Sequence, residues 1–430
     1  MKKHSLVKQT ALLSGANTVV RAVGFAMRIW LSRVMGAEAM GVLELASSAH
    51  MLWIAPVTSG IPMAVAREAA AGQGIDALRA GRRLALKISL WMLPLLLLAA
   101  PFIAPALGDA RTLPALLLYL PCLPVLGLSA AYNGYCYGAG NTLPPALSEI
   151  VEQTLRFVVC IGVLMLITGM TAAWTAAVPP FATLVGEAVS VVVVIWMLRR
   201  GGLTVQGRAP RALEQKIWRL AVPMTAMRVT NTLMRTVNAV LIPLRLRLSG
   251  LSAQEATARL GMFSGMAMPL VMLPSVVTGA LAMVAGPAMA RHEKNPLAMR
   301  RMLLRVMPAA FAVSVAAAGG MILGAPWIAQ RLYRQPDLQG LLIALAPLVP
   351  VMGLQQVAGG MLAGLGKQRS ALISSLTGAL LTLMLNYWLV PSQRLIGCVW
   401  AQTAGHSVTL VMNLRILLRV VRRRVEDVIQ

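Results

Sequence analysis

Five arginines lie inside apolar stretches of the 430-residue chain: Arg21, Arg28, Arg156, Arg228 and Arg235. A guanidinium holds its charge at any physiological pH and offers paired donors that suit phosphate or carboxylate oxygens. In hydrocarbon it costs about 2.5 kcal/mol or more, so its default neighbour is a wet cavity, a ligand or an acid. Arg21 and Arg28 are seven residues apart, as are Arg228 and Arg235, and seven residues bring both members of a pair to one helix face. The carboxylates in comparable stretches, Glu44, Glu149, Glu152 and Glu187, all fall in the first half of the chain. Glu152 and Arg156 stand four apart and are expected to neutralise each other. Arg228 and Arg235 have no acid in their own half. Three partners stay open for them: first-half acids across a cleft, an anionic ligand, or each in turn, which would make a gate. Arg28, near the end of its stretch, can also snorkel to headgroup level.

Other polar residues sit at similar depth. His50 is read as a hydrogen-bonded packing residue or a proton relay, and His406 likewise. Asn17, Asn231 and Asn238 lie on the arginine-bearing segments and would suit a polar cavity. Pro56, Gly60 and Pro62, and in a corresponding later segment Pro269, Pro274 and Gly279, are packing kinks or bending points. The chain carries no Walker sequence, catalytic triad or metal-ligand cluster, so it reads as neither an enzyme nor an ATPase, and no cofactor is expected. Energy would come from a coupling ion, H+ or Na+, from the membrane potential or from the substrate gradient. Cys122, Cys136, Cys160 and Cys398 have neither disulfide nor zinc spacing and read as small core residues.

The elements that must position these groups are membrane spans. Charged residues make up 12% of the chain and hydrophobic ones 58%, against roughly a quarter charged in soluble domains. With a mean hydropathy of +0.72, most of the surface must meet lipid. Spans of about 20 apolar residues are read at about 10–34, 45–66, 88–108, within 112–148 and 157–198, then at 217–244, 260–290, 306–330, 338–366, 370–393 and 395–414. The GAGNTLPP turn at 138–145 splits the longest uncharged run. The total is twelve. MKKHSLVK is read as the flank of a retained first span rather than a cleaved signal.

The net charge of +25 follows from position rather than from nucleic acid as partner. With the N-terminus inside, 26 Lys and Arg fall on the cytoplasmic side and eight opposite, which places both termini in the cytoplasm. That basic face would attract anionic lipids of the bilayer. The arginine pairs, and the glycines at 134, 138 and 140 echoed at 360, 364 and 366, point to a duplicated six-helix unit: an N-terminal lobe at 1–200, a basic cytoplasmic linker at 201–216 and a C-terminal lobe with a basic tail at 217–430. The fold class is thus an all-α polytopic membrane protein, two six-helix lobes related by a pseudo-twofold axis along the membrane normal and enclosing a central cleft.

Five stretches carry a resemblance: VRAVGFAMRIWLSRVMGAEAMGVLELA (20–46), TSGIPMAVARE (58–68), GYCYGAGNTLPPALSEIVEQTLRF (134–157), GMAMPLVMLPSVVTGALAMVAGPAMA (265–290) and LAPLVPVMGLQQVAGGMLAGLGKQ (345–368). The chain resembles the stage V sporulation protein B branch of the MOP exporter superfamily, beside the MurJ-type lipid II flippases and the polysaccharide flippases. The resemblance implies two six-helix lobes around a central cationic cavity, alternating access and outward movement of an undecaprenyl-pyrophosphate-linked saccharide, a peptidoglycan precursor or polysaccharide repeat unit, in cell-envelope or spore-cortex biogenesis. Arg21 matches the position of a cavity arginine in the MurJ-type proteins, and Arg28 falls one residue after its counterpart. Relatives commonly carry fourteen spans, the additional pair forming a lipid-tail groove.

Two rival functions fit the same pattern. A cation-coupled multidrug antiporter of this fold would rely on membrane-embedded acids, whereas the first span here has arginines and none. The other is a non-transporting partner in envelope assembly. The expected setting is the bacterial cytoplasmic membrane, with the protein acting as a monomer on a lipid-linked oligosaccharide. A reporter placed at the C-terminus or within 201–216 is expected to fluoresce as a GFP fusion and to be inactive as an alkaline phosphatase fusion. Phosphatase activity at these positions would reverse the orientation.

Overall fold

The computed structural model describes residues 3–167, 169–292 and 295–429; the side chains of 3–18, 296 and 423–429 lie outside the description, Asn17 among them. Every regular element among the described residues is helical. The helices are α1 (Lys3–Thr58), α2 (Gly60–Glu68), α3 (Gly74–Ala106), α4 (Leu113–Tyr119), α5 (Cys122–Gly138), α6 (Leu143–Leu166), α7 (Ala172–Arg200) and α8 (Arg211–Arg247). They continue with α9 (Ala253–Leu260), α10 (Met268–Met272), α11 (Ser275–Arg291), α12 (Pro296–Trp327), α13 (Leu338–Leu345), α14 (Leu348–Gly364) and α15 (Gln368–Ile429). Four helical stretches are long and apolar enough to cross a membrane, and seven are when each bent pair counts as one. Trp91 (79% exposed), Phe102 (78%) and Leu323 (85%) point outward, as side chains facing lipid do.

The breaks have identifiable causes. Gly36 (φ 75) divides α1 into two arms, a conformation that only glycine adopts without strain. Arg394 (φ 52) divides α15 in the same way at greater cost. α5 ends at Gly138, and α6 starts on the Pro144–Pro145 pair, where missing amide donors are tolerated. Ser252 and Glu255 form a reciprocal capping box at α9; the Ser252 amide holds the Glu255 carboxyl below the usual carboxylate range.

The chain packs as two compact units, Met1–Thr236 and Val237–Gln430, with the boundary inside α8. In the first, Ile61, Val65, Ala80 and Leu84 share an apolar cluster with Ala209, Leu213, Ile217 and Ala221, so the linker and the start of α8 are docked on α2 and α3. In the second, Met289, Met299, Val357, Met361 and Leu417 form the corresponding cluster of α11, α12, α14 and α15.

The same local construction occurs in each unit. Pro121-x-x-Pro124-Val-x-Gly127-Leu recurs as Pro347-x-x-Pro350-Val-x-Gly353-Leu; α4 and α5 meet at 44°, α13 and α14 at 45°. A Cβ on Gly134 or Gly138 would lie 2.5 or 2.3 Å from the Pro62 or Ala66 carbonyl oxygen; on Gly360 or Gly364 it would lie 2.9 or 2.0 Å from the Ala282 or Gly286 oxygen. Backbone-to-backbone approach through small residues is how helices associate where lipid removes the hydrophobic drive. One ion pair recurs with its signs exchanged. Arg111, ahead of α4, bonds Glu38 and, at 2.7 Å, Asp109; Asp337, ahead of α13, accepts from Arg259 at 3.0 Å. The Asp109 and Glu38 carboxylates hold the Arg111 guanidinium above its ordinary value.

Gly364→Leu is expected to cost about 1–3 kcal/mol by overpacking, read as a lower melting temperature in detergent. Gly340→Ala, with no atom within 4 Å of the added Cβ, should change stability by less than about 1 kcal/mol, towards higher stability.

Candidate functional site

The candidate arginines fall into two environments. Arg21 on the first arm of α1 and Arg228 and Arg235 on α8 are exposed and make no ion pair among the described residues. All three belong to the first unit. α8 is fixed beside the second arm of α1 and α2 by the Thr236 hydroxyl donating to the Ser48 carbonyl at 2.8 Å and by Gly60, where a Cβ would lie 2.1 Å from the Ala221 oxygen. Arg228 and Arg235 therefore sit on a held helix, seven residues apart and on one face. Asn231, between them, donates to its own helix at the Met227 carbonyl, 3.2 Å. Asn238 lies in the second unit and accepts from Asn386 at 2.6 Å.

Arg28 and Arg156 are paired instead. Arg28 bonds Glu44 across the Gly36 kink, each eight residues from the glycine. Arg156 bonds Glu152 on its own helix and approaches Glu187 of α7 at 3.8 Å. Glu152 and Glu187 are buried, and glycine at 186 lets α7 run against α6 there, an added Cβ lying 3.0 Å from the Glu152 carbonyl oxygen. Two carboxylates thus share one guanidinium, and Glu187 Oε2 and Arg156 Nε are buried without a hydrogen-bond partner. Glu149, half-buried one turn earlier, makes no ion pair among the described residues.

His50 is buried and stacked on Tyr119, ring centroids 3.9 Å apart and 13° from parallel, with its Nδ1 unpartnered. The Tyr119 hydroxyl lies 3.1 Å from the Ser47 hydroxyl. His406 Nδ1 is 2.7 Å from Gln355 Oε1.

The proposed bending residues occupy different roles. Pro56 is inside α1, and Gly60 and Pro62 follow a break at Ser59; Gly60 is a point of close packing. Pro269 opens α10 and Pro274 caps α11 at a bend of 51°. Gly279 faces Gln356, whose Oε1 accepts from Thr278 at 2.6 Å.

Several pairs escape sequence reasoning. Glu68, 1% exposed, bonds Lys216 at 2.7 Å, joining α2 to α8. Glu38, Asp109 and Arg111 form the network already described. In sequence these groups look like ordinary charges at span ends; the one available signal is an acid, Glu68, closing an apolar stretch.

Comparison with known proteins places this geometry in context. The family model described as polysaccharide biosynthesis protein matches residues 6–293. Stage V sporulation protein B of Bacillus subtilis is 26% identical over 303 residues, covering 67% of this chain and 58% of that protein, so the chain spans less than two thirds of that relative. The inward-facing conformation of a multidrug resistance MATE family transporter of the MOP superfamily superposes with a TM-score of 0.79 at 16% identity, covering 94% of this chain and 95% of that one. The outward-facing conformation of a multidrug resistance MATE family transporter gives 0.59 at 18% identity, covering 97% and 96%. A MOP superfamily transporter from Pyrococcus furiosus, described by the reverse polarity of its binding pocket, gives 0.59 at 17%, covering 98% and 95%. The chain shares their fold.

Removing one member of a buried ionic cluster leaves the rest uncompensated, at about 3–5 kcal/mol. Arg156→Met is accordingly expected to lower the melting temperature sharply, and adding Glu152→Gln and Glu187→Gln to restore most of it. An unchanged melting temperature for Arg156→Met would mean that the cluster is hydrated.

Proposed function

The chain belongs to the polysaccharide biosynthesis protein family, and from that premise we propose that it moves an undecaprenyl-pyrophosphate-linked saccharide from the inner to the outer leaflet of the bacterial cytoplasmic membrane. The observation that carries this reading is an imbalance of available charge. Arg21, Arg228 and Arg235 are exposed and unpaired among the described residues, whereas Glu44, Glu152 and Glu187 are committed to Arg28 and Arg156. Among the charged groups left to meet a substrate, three are cations at the depth of apolar spans and one, Glu149, is an acid. A pyrophosphate crossing hydrocarbon needs such partners, and guanidinium groups supply paired donors to its oxygens.

Twelve spans in two lobes of six, with both termini cytoplasmic, complete the proposal. Splitting α1 at Gly36 and α15 at Arg394, and joining the second arm of α1 to α2, α4 to α5, α9 and α10 to α11, and α13 to α14, gives twelve helical passes among the described residues, which supports that number. The recurring Pro-x-x-Pro-Val-x-Gly-Leu corner and its glycine contacts support the duplication. A headgroup would cross in a wet cleft while its isoprenoid tail stayed in lipid, with access alternating between the two sides. The protein acts as a transporter, not an enzyme, and as a monomer.

Coupling is assigned to Glu152, Arg156 and Glu187. Two buried carboxylates around one guanidinium take one further positive charge, which an exchangeable H+ or Na+ supplies. A cation-coupled multidrug antiporter is the alternative that the names of the structural neighbours raise. Its cationic cargo would meet exposed arginines, which disfavours it.

The test is the amount of lipid-linked saccharide accessible from outside after depletion of the native protein and complementation. Arg21→Ala, and Arg228→Gln with Arg235→Gln, are each expected to lower the outer-leaflet signal about tenfold or more at equal expression, the loss of a charge-assisted contact worth about 1.5–3 kcal/mol. A signal equal to wild type in both would overturn the mechanism, and dye efflux that depends on the protein would favour the antiporter.

A further inference from the structure

Away from the spans' interior, the first unit holds a cavity of about 220 Å³ lined by Arg79, Arg82, Arg83, Lys87 and Arg208, with Leu86 and Leu90 at its apolar edge. We propose that this cavity is a binding site for the phosphate headgroup of an anionic phospholipid in the cytoplasmic leaflet. The leaflet follows from the proposed topology; the binding itself requires no transport.

The cavity is built rather than incidental. Four of its cations come from successive turns of α3, and the fifth comes from the linker. That linker is not a free tether: Ala209 and Leu213 are buried against Ala80 and Leu84, which fixes Arg208 opposite the α3 cations. Gly207, with φ 89, turns the chain in a conformation that favours glycine, and a Cβ there would stand in ordinary contact, 3.9 Å, with Arg79 Cζ.

Charge in the cavity is deliberately unequal. Asp76 accepts from Arg79 at 2.8 Å, and Glu214 serves both Lys87 at 2.5 Å and Arg83 at 3.5 Å. Two carboxylates face five cations. Arg82 and Arg208 make no ion pair among the described residues, and Arg79 Nε is buried without an acceptor. Converging cations with donors unspent are relieved by an anion with several oxygens, and Arg in particular matches phosphate.

The apolar edge distinguishes a lipid from a soluble phosphate. Leu90 is 61% exposed and Leu97, seven residues on and on the same face of α3, is 53% exposed. Beside them Trp91 projects outward, a residue type suited to headgroup depth. A headgroup in the cavity therefore places its acyl chains along this stripe, the arrangement expected of basic pockets at the cytoplasmic end of spans.

The experiment is native mass spectrometry of the purified full-length protein with phosphatidylglycerol or with phosphatidylcholine of the same acyl chains, and with glycerol 3-phosphate as competitor. Wild type is expected to retain phosphatidylglycerol at least tenfold more than phosphatidylcholine. Arg82→Gln with Arg208→Gln should remove that preference, whereas Arg300→Gln with Arg301→Gln, an equal loss of charge in the other unit, should keep it within twofold. Arg208→Gln alone, on the exposed linker, gives the same reading with α3 intact and should weaken retention several-fold. Three results would overturn the proposal. They are equal retention of the two lipids, equal loss in the Arg300 and Arg301 variant, which would indicate diffuse surface charge, and complete displacement by glycerol 3-phosphate, which would indicate a soluble-anion site.

Discussion

A charge held within apolar helices must be met by an opposite charge, by water or by a ligand, and most of what is distinctive in this protein follows from how that requirement is met. Arg156 meets it locally, between Glu152 and Glu187; Arg28 meets it across a kink; Glu68 meets it through Lys216 from a helix distant in sequence. What remains is a set of arginines whose charge is open to solvent or cargo. The division between committed and uncommitted charge separates the groups that hold helices together from those that make no ion pair among the described residues.

Satisfying charge at these positions requires helices that stay close together, and here the backbone does the work. Gly134 and Gly138 against α2, and Gly360 and Gly364 against α11, bring main chains within reach of each other with no side chain between. Gly378 and Gly405 also bring the two arms of α15 close, each opposed to the other's carbonyl oxygen and to a threonine hydroxyl, Thr409 or Thr382. The sharp changes of direction lie elsewhere, where helices meet at 44°, 51° and 45° beside Pro121, Pro274 and Pro347.

Features set by local spacing were open to reading from the sequence; those set by chain reversal were not. The GAGNTLPP break falls between α5 and α6 because its residues dictate a turn in any context. Glu152 and Arg156 meet because four residues on a helix are neighbours whatever surrounds them. Arg28 and Glu44 are sixteen residues apart, and their meeting depends on the direction the chain takes after Gly36, which no periodicity encodes. The basic linker reads as a tether by composition, yet two apolar residues, Ala209 and Leu213, dock it. The unit boundary inside α8 is equally silent, since an unbroken helix gives no compositional sign that its ends pack with different partners.

The ion pair that ties Glu38 to Arg111 in one unit and Arg259 to Asp337 in the other has its signs exchanged. If both came from one ancestral pair, each residue has changed sign in one of them, and the order of those changes had to pass through a mismatched state. Asp337 is 64% exposed and Arg259 40%, so a mismatch there is bathed in water and salt, where a like-charge contact is mild. The buried cluster of Glu152, Arg156 and Glu187 has no such freedom, and the two arms of α15, which follow α14 as α6 and α7 follow α5, carry no copy of it among the described residues. Solvent access thus separates an ion pair whose signs can be exchanged at little cost from a buried cluster where a mismatch is expensive, and the two units share local backbone construction while differing in charge.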